Sequence, residues 1–192
     1  MKIGLFFGSF NPIHIGHMII ANHLVEYSDL DQVWLVVSPH NPLKQKSSLA
    51  KDHDRLHLVQ LAIGDNPKLK ASSIEFSLPV PSYTIDTLTY LHEKYPSKKF
   101  SLIMGGDNLE SIEKWKNYEK LLAENDIYVY KRPGYSLGKY ENHPRVKVVD
   151  APLLDLSATF IRNSIAAGKS VQYLVPEAVY DYLMDSKLYL PK

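Results

Sequence analysis

The feature that most limits the fold of this chain is the alternation of short apolar runs with stretches of helical periodicity. Lys2–Phe7 is apolar and stops at Gly8. After a loop from Gly8 to Gly16, the residues Ile19, Ile20, His23, Leu24 and Tyr27 recur at helical spacing. Gln32–Val37 is again apolar and closes at Ser38-Pro39. Runs of this length between turn residues read as buried strands, and the spaced segment reads as a helix. Two strands joined through a helix form a parallel pair.

The rest of the chain continues this pattern. The polar, lysine-rich segment 40–51 reads as a surface loop. Asp52 is expected to cap a helix running to about Gly64, with Leu56, Val59, Leu61 and Ile63 toward the core. A weak strand follows at 69–76, then a helix from Pro81-Ser82 through Tyr95, ended by Pro96. Phe100–Met104, Asp126–Tyr130 and Arg145–Val149 read as three further strands. Ser157 caps a helix through Ala167, Gly168 stops it, and Pro176 opens a last helix. The count predicts one doubly wound α/β domain over residues 1–192, with the helical part at about 157–185 packed on it. In such a fold, ligands sit at the carboxyl ends of the strands.

Composition sets the limits on function. A chain of 192 residues suits one sizeable core. The net charge of +1 gives no ground for a nucleic-acid polymer or a membrane as partner. The absence of cysteine excludes disulfides, thiolate zinc sites and a cysteine nucleophile. The apolar start is broken by Gly8, Ser9, Asn11, Pro12 and His14, so it does not form a signal peptide. No segment approaches the roughly 20 apolar residues of a membrane span. A soluble cytoplasmic enzyme is the expectation, with homo-oligomerisation left open.

The loop Gly8-Ser9-Phe10-Asn11-Pro12-Ile13-His14-Ile15-Gly16-His17 has the makings of a phosphate site. Gly8 permits a sharp exit from the strand and close approach of a ligand. Gly16 and His17 open a helix whose unpaired N–H groups and positive dipole end favour an anion. His14 and His17 lie one turn apart and can donate to the same anion. As a zinc pair they would lack both cysteine and a third ligand. The string resembles the His-x-Gly-His nucleotidyltransferase superfamily, whose members have a Rossmann-like fold. That resemblance implies that His14 and His17 contact a triphosphate, with His17 stabilising charge at the α-phosphorus and no covalent intermediate. Asn11 departs from the Asp that close relatives usually carry.

A second segment, Leu156-Ser157-Ala158-Thr159-Phe160-Ile161-Arg162, presents hydroxyls and N–H groups at a helix start, with Arg162 able to fork onto phosphate oxygens. It is similar to the Ile-Ser-x-Thr-x-Ile-Arg motif of the same superfamily, which holds the β- and γ-phosphates. Lys44 and Lys46 are charges that could swing onto the triphosphate from their loop.

Three internal strings bear on the acceptor. Pro81-Ser82-Tyr83-Thr84 offers N–H groups and the Thr84 hydroxyl to a carboxylate. Gly105-Gly106-Asp107 ends a central strand, where a carboxylate can accept from ribose hydroxyls. Trp115 can lay its indole over a flat ring, and Lys131-Arg132-Pro133-Gly134 adds positive charge. Singly each has a plain structural explanation. In this order, together with Arg55 and the Leu61-Ala62-Ile63 helix, they resemble the bacterial nicotinate-nucleotide adenylyltransferase family along nearly the whole chain. The resemblance implies transfer of AMP from ATP to nicotinate mononucleotide, giving nicotinate adenine dinucleotide and pyrophosphate. It implies ATP contacts at Gly8, Ser9, Phe10, Gly16, Gly105, Asp107, Ser157 and Thr159, and nicotinate-nucleotide contacts at Thr84, Trp115 and Arg132. Catalytic groups are expected at His14, His17, Arg162 and Lys44. Lys116 stands where Tyr is common, and is expected to add a charge contact to the nicotinate carboxylate. Mg²⁺ is expected to accompany ATP, with no metal held by the protein itself.

The competing readings have weaker support. Nicotinamide mononucleotide or phosphopantetheine could be the acceptor, although phosphopantetheine adenylyltransferases are typically shorter and lack the internal strings. His53-Asp54-Arg55-Leu56-His57 imitates a zinc-protease helix, but Asp54 replaces the required Glu and no third ligand is evident.

Overall fold

A computed structural model describes residues 1–39, 49–131 and 134–190. Lys44, Lys46 and Arg132 therefore lie outside the described residues. The elements run in the order β1 (Lys2–Gly8), α1 (Ile15–Tyr27), β2 (Gln32–Val37), α2 (Asp52–Ile63), β3 (Leu69–Ser72), α3 (Thr84–Lys94), β4 (Lys99–Gly105), α4 (Gly106–Glu110), α5 (Tyr118–Glu124), β5 (Ile127–Tyr130), β6 (Val146–Val149), α6 (Ala158–Ala166) and α7 (Glu177–Ser186). Short 3-10 turns at Ile74–Ser77 and Ile112–Lys114 follow β3 and α4.

The six strands form one sheet in the order β3-β2-β1-β4-β5-β6, and every neighbouring pair is parallel. The chain winds outward from β1 in one direction, then crosses back to β4 and winds the other way. The crevice between β1 and β4 is thus the switch point where a doubly wound sheet takes ligands.

Side-chain alternation assigns the two faces. Val33, Leu35 and Val37 of β2 join Phe6, Leu24, Leu58, Ile161, Val179 and Leu183 in one core under α1, α2, α6 and α7. Trp34 and Val36 join Ile3, Leu5, Leu88, Leu102 and Leu121 in a second core under α3, α4 and α5. Because both faces are covered, the strands read as unbroken apolar runs rather than alternating ones.

α2 differs from expectation. Lys51, not Asp52, is its N-cap residue, and Arg55, Leu58 and Val59 are its buried members. Leu56, Leu61 and Ile63 only flank the core. The cause is Arg55, whose side chain is fully buried. It donates to the carbonyls of Ala50 (3.1 Å), Ser9 (2.5 Å) and Ser38 (2.9 Å), and it pairs with the Asp52 carboxylate at 2.6 Å. One guanidinium thus ties the ends of β1 and β2 to the start of α2. Asp52, in the first turn of α2, pairs with that cation rather than capping the helix.

At the opposite, amino-terminal end of the sheet, charges cross-link the strands. Lys2 Nζ pairs with Asp29 (2.8 Å) and Asp126 (2.9 Å), and Lys147 Nζ reaches Asp29 at 3.2 Å. Tyr128 Oη donates to Asp29. These hydrogen bonds hold the Asp29 and Asp126 carboxyls below the usual carboxylate range, the Lys2 ammonium being the largest cause for both.

Candidate active site

The β1–α1 loop is built around its histidines. His14 immediately precedes α1, and its backbone N–H donates to His17 Nδ1 at 3.2 Å. A ring nitrogen that accepts a hydrogen bond carries no proton, so neutral His17 has its proton on Nε2, as a donor. The two imidazoles stack with centroids 3.7 Å apart and planes at 29°. Gly16 permits this arrangement: a Cβ there would lie 3.1 Å from His14 Nδ1.

Phe10 serves the loop from beneath. It is 1% exposed and held at φ 43°, and its ring meets Phe6 and His17 edge-on at 5.8 and 5.1 Å between centroids. Its ring is therefore a support for His17, and only its main chain remains for an ATP contact. The same ring explains Gly8, where a Cβ would stand 2.9 Å from Phe10 Cζ. The glycine there accommodates an aromatic neighbour, whereas the sequence suggested a sharp turn.

The second phosphate segment comes to the same loop. Ser157 caps α6, its Oγ accepting from the Phe160 N–H at 3.2 Å. Arg162 Nη1 donates to the Asn11 carbonyl at 2.8 Å, and its Nη2 donates to Thr159 Oγ1 at 3.2 Å. A cavity of about 330 Å³ opens between His14, Gly16 and His17 on one side and Leu156 and Ser157 on the other, with Tyr130 at the end of β5. Thr159 and Arg162 adjoin this space through the loop but are not among its lining residues.

A second cavity, of about 360 Å³, begins at Gly8 and Ser9 of the same loop. Its walls include Ser82, Tyr83 and Thr84 at the start of α3, Asn108, and Trp115 with Lys116. Thr84 and the adjacent pair Trp115-Lys116, far apart in sequence, thus face one space, as the family resemblance implies. Lys116 Nζ is engaged with Asp86 at 2.8 Å and lies 4.9 Å from the Tyr83 ring centroid. Gly105 and Asp107 line neither cavity. The Asp107 carboxylate folds against the end of β4, where any Cβ on residue 105 would collide with it.

Some lining residues carried no readable signal. Glu75 is 2% exposed in the wall of the second cavity and accepts from Thr87 Oγ1 at 2.8 Å. Burial pushes its carboxyl above the usual range, opposed by hydrogen bonds from Ser38, Thr87 and Ser82. Flanked by Ile74 and Phe76, it reads in sequence as one polar residue in a short strand. Tyr130, Leu153 and Leu154 line the first cavity only because β5 and the segment before α6 end there. Neither His53 nor His57 is part of a metal cluster: among the described residues no three His, Asp or Glu side chains gather to hold an ion. No described helix is long and apolar enough to cross a membrane.

Comparison with known proteins agrees with this geometry. Residues 5–164 match the cytidylyltransferase-like family. The chain is 55% identical to a probable nicotinate-nucleotide adenylyltransferase of Flavobacterium johnsoniae, covering 98% of this chain and 99% of that one. It is 56% identical to its counterpart in Flavobacterium psychrophilum over the same shares. Among solved structures, the fold matches Plasmodium falciparum nicotinic acid mononucleotide adenylyltransferase complexed with NaAD. The TM-score is 0.83 at 20% identity, over 98% of this chain and 97% of that one. Built on one doubly wound sheet, this chain belongs to the cytidylyltransferase-like family and, within it, to the nicotinate-nucleotide adenylyltransferases.

Proposed function

We propose that this protein transfers the adenylyl group of ATP to nicotinate mononucleotide, releasing pyrophosphate and nicotinate adenine dinucleotide for NAD synthesis. The observation that carries this reading is that one loop, 8–17, contributes to both cavities, so the two phosphates that must be joined meet across it. The identity to adenylyltransferases over 98% of the chain supports the same activity. The P. falciparum relative has also been solved with NaAD and with APC.

In this reading ATP lies along the first cavity. Its triphosphate meets His14, His17, the N–H groups at the starts of α1 and α6, Ser157, Thr159 and Arg162. Lys44 is assigned a charge contact to the triphosphate. The nicotinate ring lies in the second cavity over Trp115, with its carboxylate toward Thr84 and the first N–H groups of α3, and with Lys116 as a flanking cation. Gly105 and Asp107, which line neither cavity, are assigned no ligand contact in this reading. A phosphate oxygen of the acceptor attacks the α-phosphorus, a new P–O bond forms, and the bond to the bridging oxygen breaks. The electron pair of that bond leaves with pyrophosphate. The attacking phosphate is already an anion, so no general base is required. His17 Nε2–H donates to an α-phosphoryl oxygen as its charge grows, which lowers the barrier electrostatically. Mg²⁺ enters with ATP as part of the MgATP substrate, held by phosphate oxygens and water.

The test is pyrophosphate release with MgATP and, in turn, nicotinate mononucleotide, nicotinamide mononucleotide and phosphopantetheine. Only the first should turn over efficiently. His17→Ala should lower kcat by roughly 100-fold or more, the scale for losing one preorganised donor to a developing anion. Unchanged kcat would remove His17 from the chemistry.

A further inference from the structure

Asn11 is the meeting point of three remote parts of the chain. Its carbonyl accepts from Arg162 of α6, its Oδ1 accepts from the Ala50 N–H at 3.1 Å, and the same Oδ1 accepts from Tyr189 Oη at 2.8 Å. Asn11 is 2% exposed and stands three residues before His14. Tyr189 follows α7 and lies 178 residues away from Asn11 in the chain. Its backbone is held at φ 70°, a left-handed conformation that a non-glycine residue keeps only when its surroundings enforce it. Burial is the main cause that pushes the Tyr189 phenol well above its ordinary range, with the Arg162 and Arg55 cations pulling the other way. Burial thus favours the protonated phenol, the form that donates. Its acceptor, the Asn11 amide, does not titrate.

We propose that Tyr189 is a positioning residue for ATP. Through Asn11 it fixes the loop bearing His14 and His17 against Arg162, so that both halves of the phosphate cradle stay in register. The inference rests on the adenylyltransferase reading for the identity of the ligand. Its geometry, a tail residue clamping an anion-binding loop, is independent of which nucleotide is the acceptor. The tail is not ornamental in this arrangement. Without the phenol, Asn11 Oδ1 keeps the Ala50 N–H, and the loop loses its only described hydrogen bond to the segment beyond α7.

The experiment is Tyr189→Phe, which removes one hydroxyl and leaves the ring. Wild-type turnover and ATP binding are established first, so a failure there speaks against the proposed function and not against this inference. With both in hand, Y189F should raise the KM for ATP about 3- to 10-fold, the range expected from one buried hydrogen bond, and leave the KM for nicotinate mononucleotide unchanged. A lowered melting temperature with an unchanged KM for ATP would overturn the proposal, as would equal changes in both KM values. A second measurement uses the wild-type protein and does not depend on the variant folding. By reciprocity, a tail that tightens the ATP loop must itself be tightened by ATP. Hydrogen exchange of the 186–190 amides should slow on adding a non-hydrolysable ATP analogue, and unaltered exchange there would refute the coupling.

Discussion

Replacing Arg55 by Lys tests how the loop of the active site is held in place. The guanidinium serves four acceptors from three different nitrogens: Nη1 reaches Ser9 and Ser38, Nε reaches Ala50, and Nη2 reaches Asp52. An ammonium is a single point with three donors, so it can replace one of these locations and not all three. If Lys keeps the pair at Ser9 and Ser38, the Ala50 carbonyl and the Asp52 carboxylate lose their partner. A carbonyl left unpaired in the interior costs about 1–3 kcal/mol. Asp52 is 40% exposed at its side chain and can rehydrate, so its loss is screened to about 1 kcal/mol or less. The sum is about 1–4 kcal/mol, which for a domain of this size lowers the melting temperature by about 2–16 °C. Differential scanning calorimetry at constant buffer and protein concentration measures it. Because Ser9 borders the acceptor cavity, kcat/KM for the acceptor should also fall. A melting temperature within about 2 °C of wild type would refute the view that the buried cation organises these three segments.

Two further outcomes follow from the acceptor cavity. Glu75 has a native pKa above its unfolded value, so the stability it contributes is complete below the unfolded pKa and declines as pH rises through the folded one. Glu75→Gln, which cannot ionise, should therefore gain stability relative to wild type as the pH is raised from about 4.5 to 8. Urea melts across that range check it, and a variant that loses stability relative to wild type as pH rises would show the sign to be wrong. Lys116→Met removes a cation from the cavity wall and leaves Asp86 without its partner. It should reduce the preference for nicotinate over nicotinamide mononucleotide by about 2- to 5-fold, as expected for a half-exposed charge contact. Steady-state kinetics with both acceptors decides it, an unaltered ratio excluding Lys116 from acid recognition.

Much of this architecture was legible because the signals are local. β2 occupies Gln32–Val37 as its apolar run predicts, since a strand covered on both faces has no polar positions to blur its limits. Ser157 caps α6 as predicted, because a hydroxyl before a helical run has one good use for its oxygen. The edge strand β6 is also found where Arg145–Val149 led us to expect it, one residue shorter. What was not legible depends on partners distant in the chain. Arg55 reads as a solvent-facing helix residue, and only three carbonyls from three segments make its burial tolerable. The phase of α2 was misjudged for that reason. Gly8 borders the second cavity and also makes room for the Phe10 ring, while that ring, read as ligand-facing, is buried and supports His17. The Asn11–Tyr189 bond had no sequence signal, since an Asn before proline and a Tyr in a short tail are ordinary in themselves.

The sheet separates its duties along the strand direction. Ion pairs of Lys2, Asp29, Asp126 and Lys147 fasten the bottom rim, while the chemistry-bearing loops all leave from the top. A protein divided this way can be toughened or loosened from below without moving an atom that touches a nucleotide. Adapting such an enzyme to heat, cold or brine is then mainly a matter of redrawing charges on the rim farthest from its work.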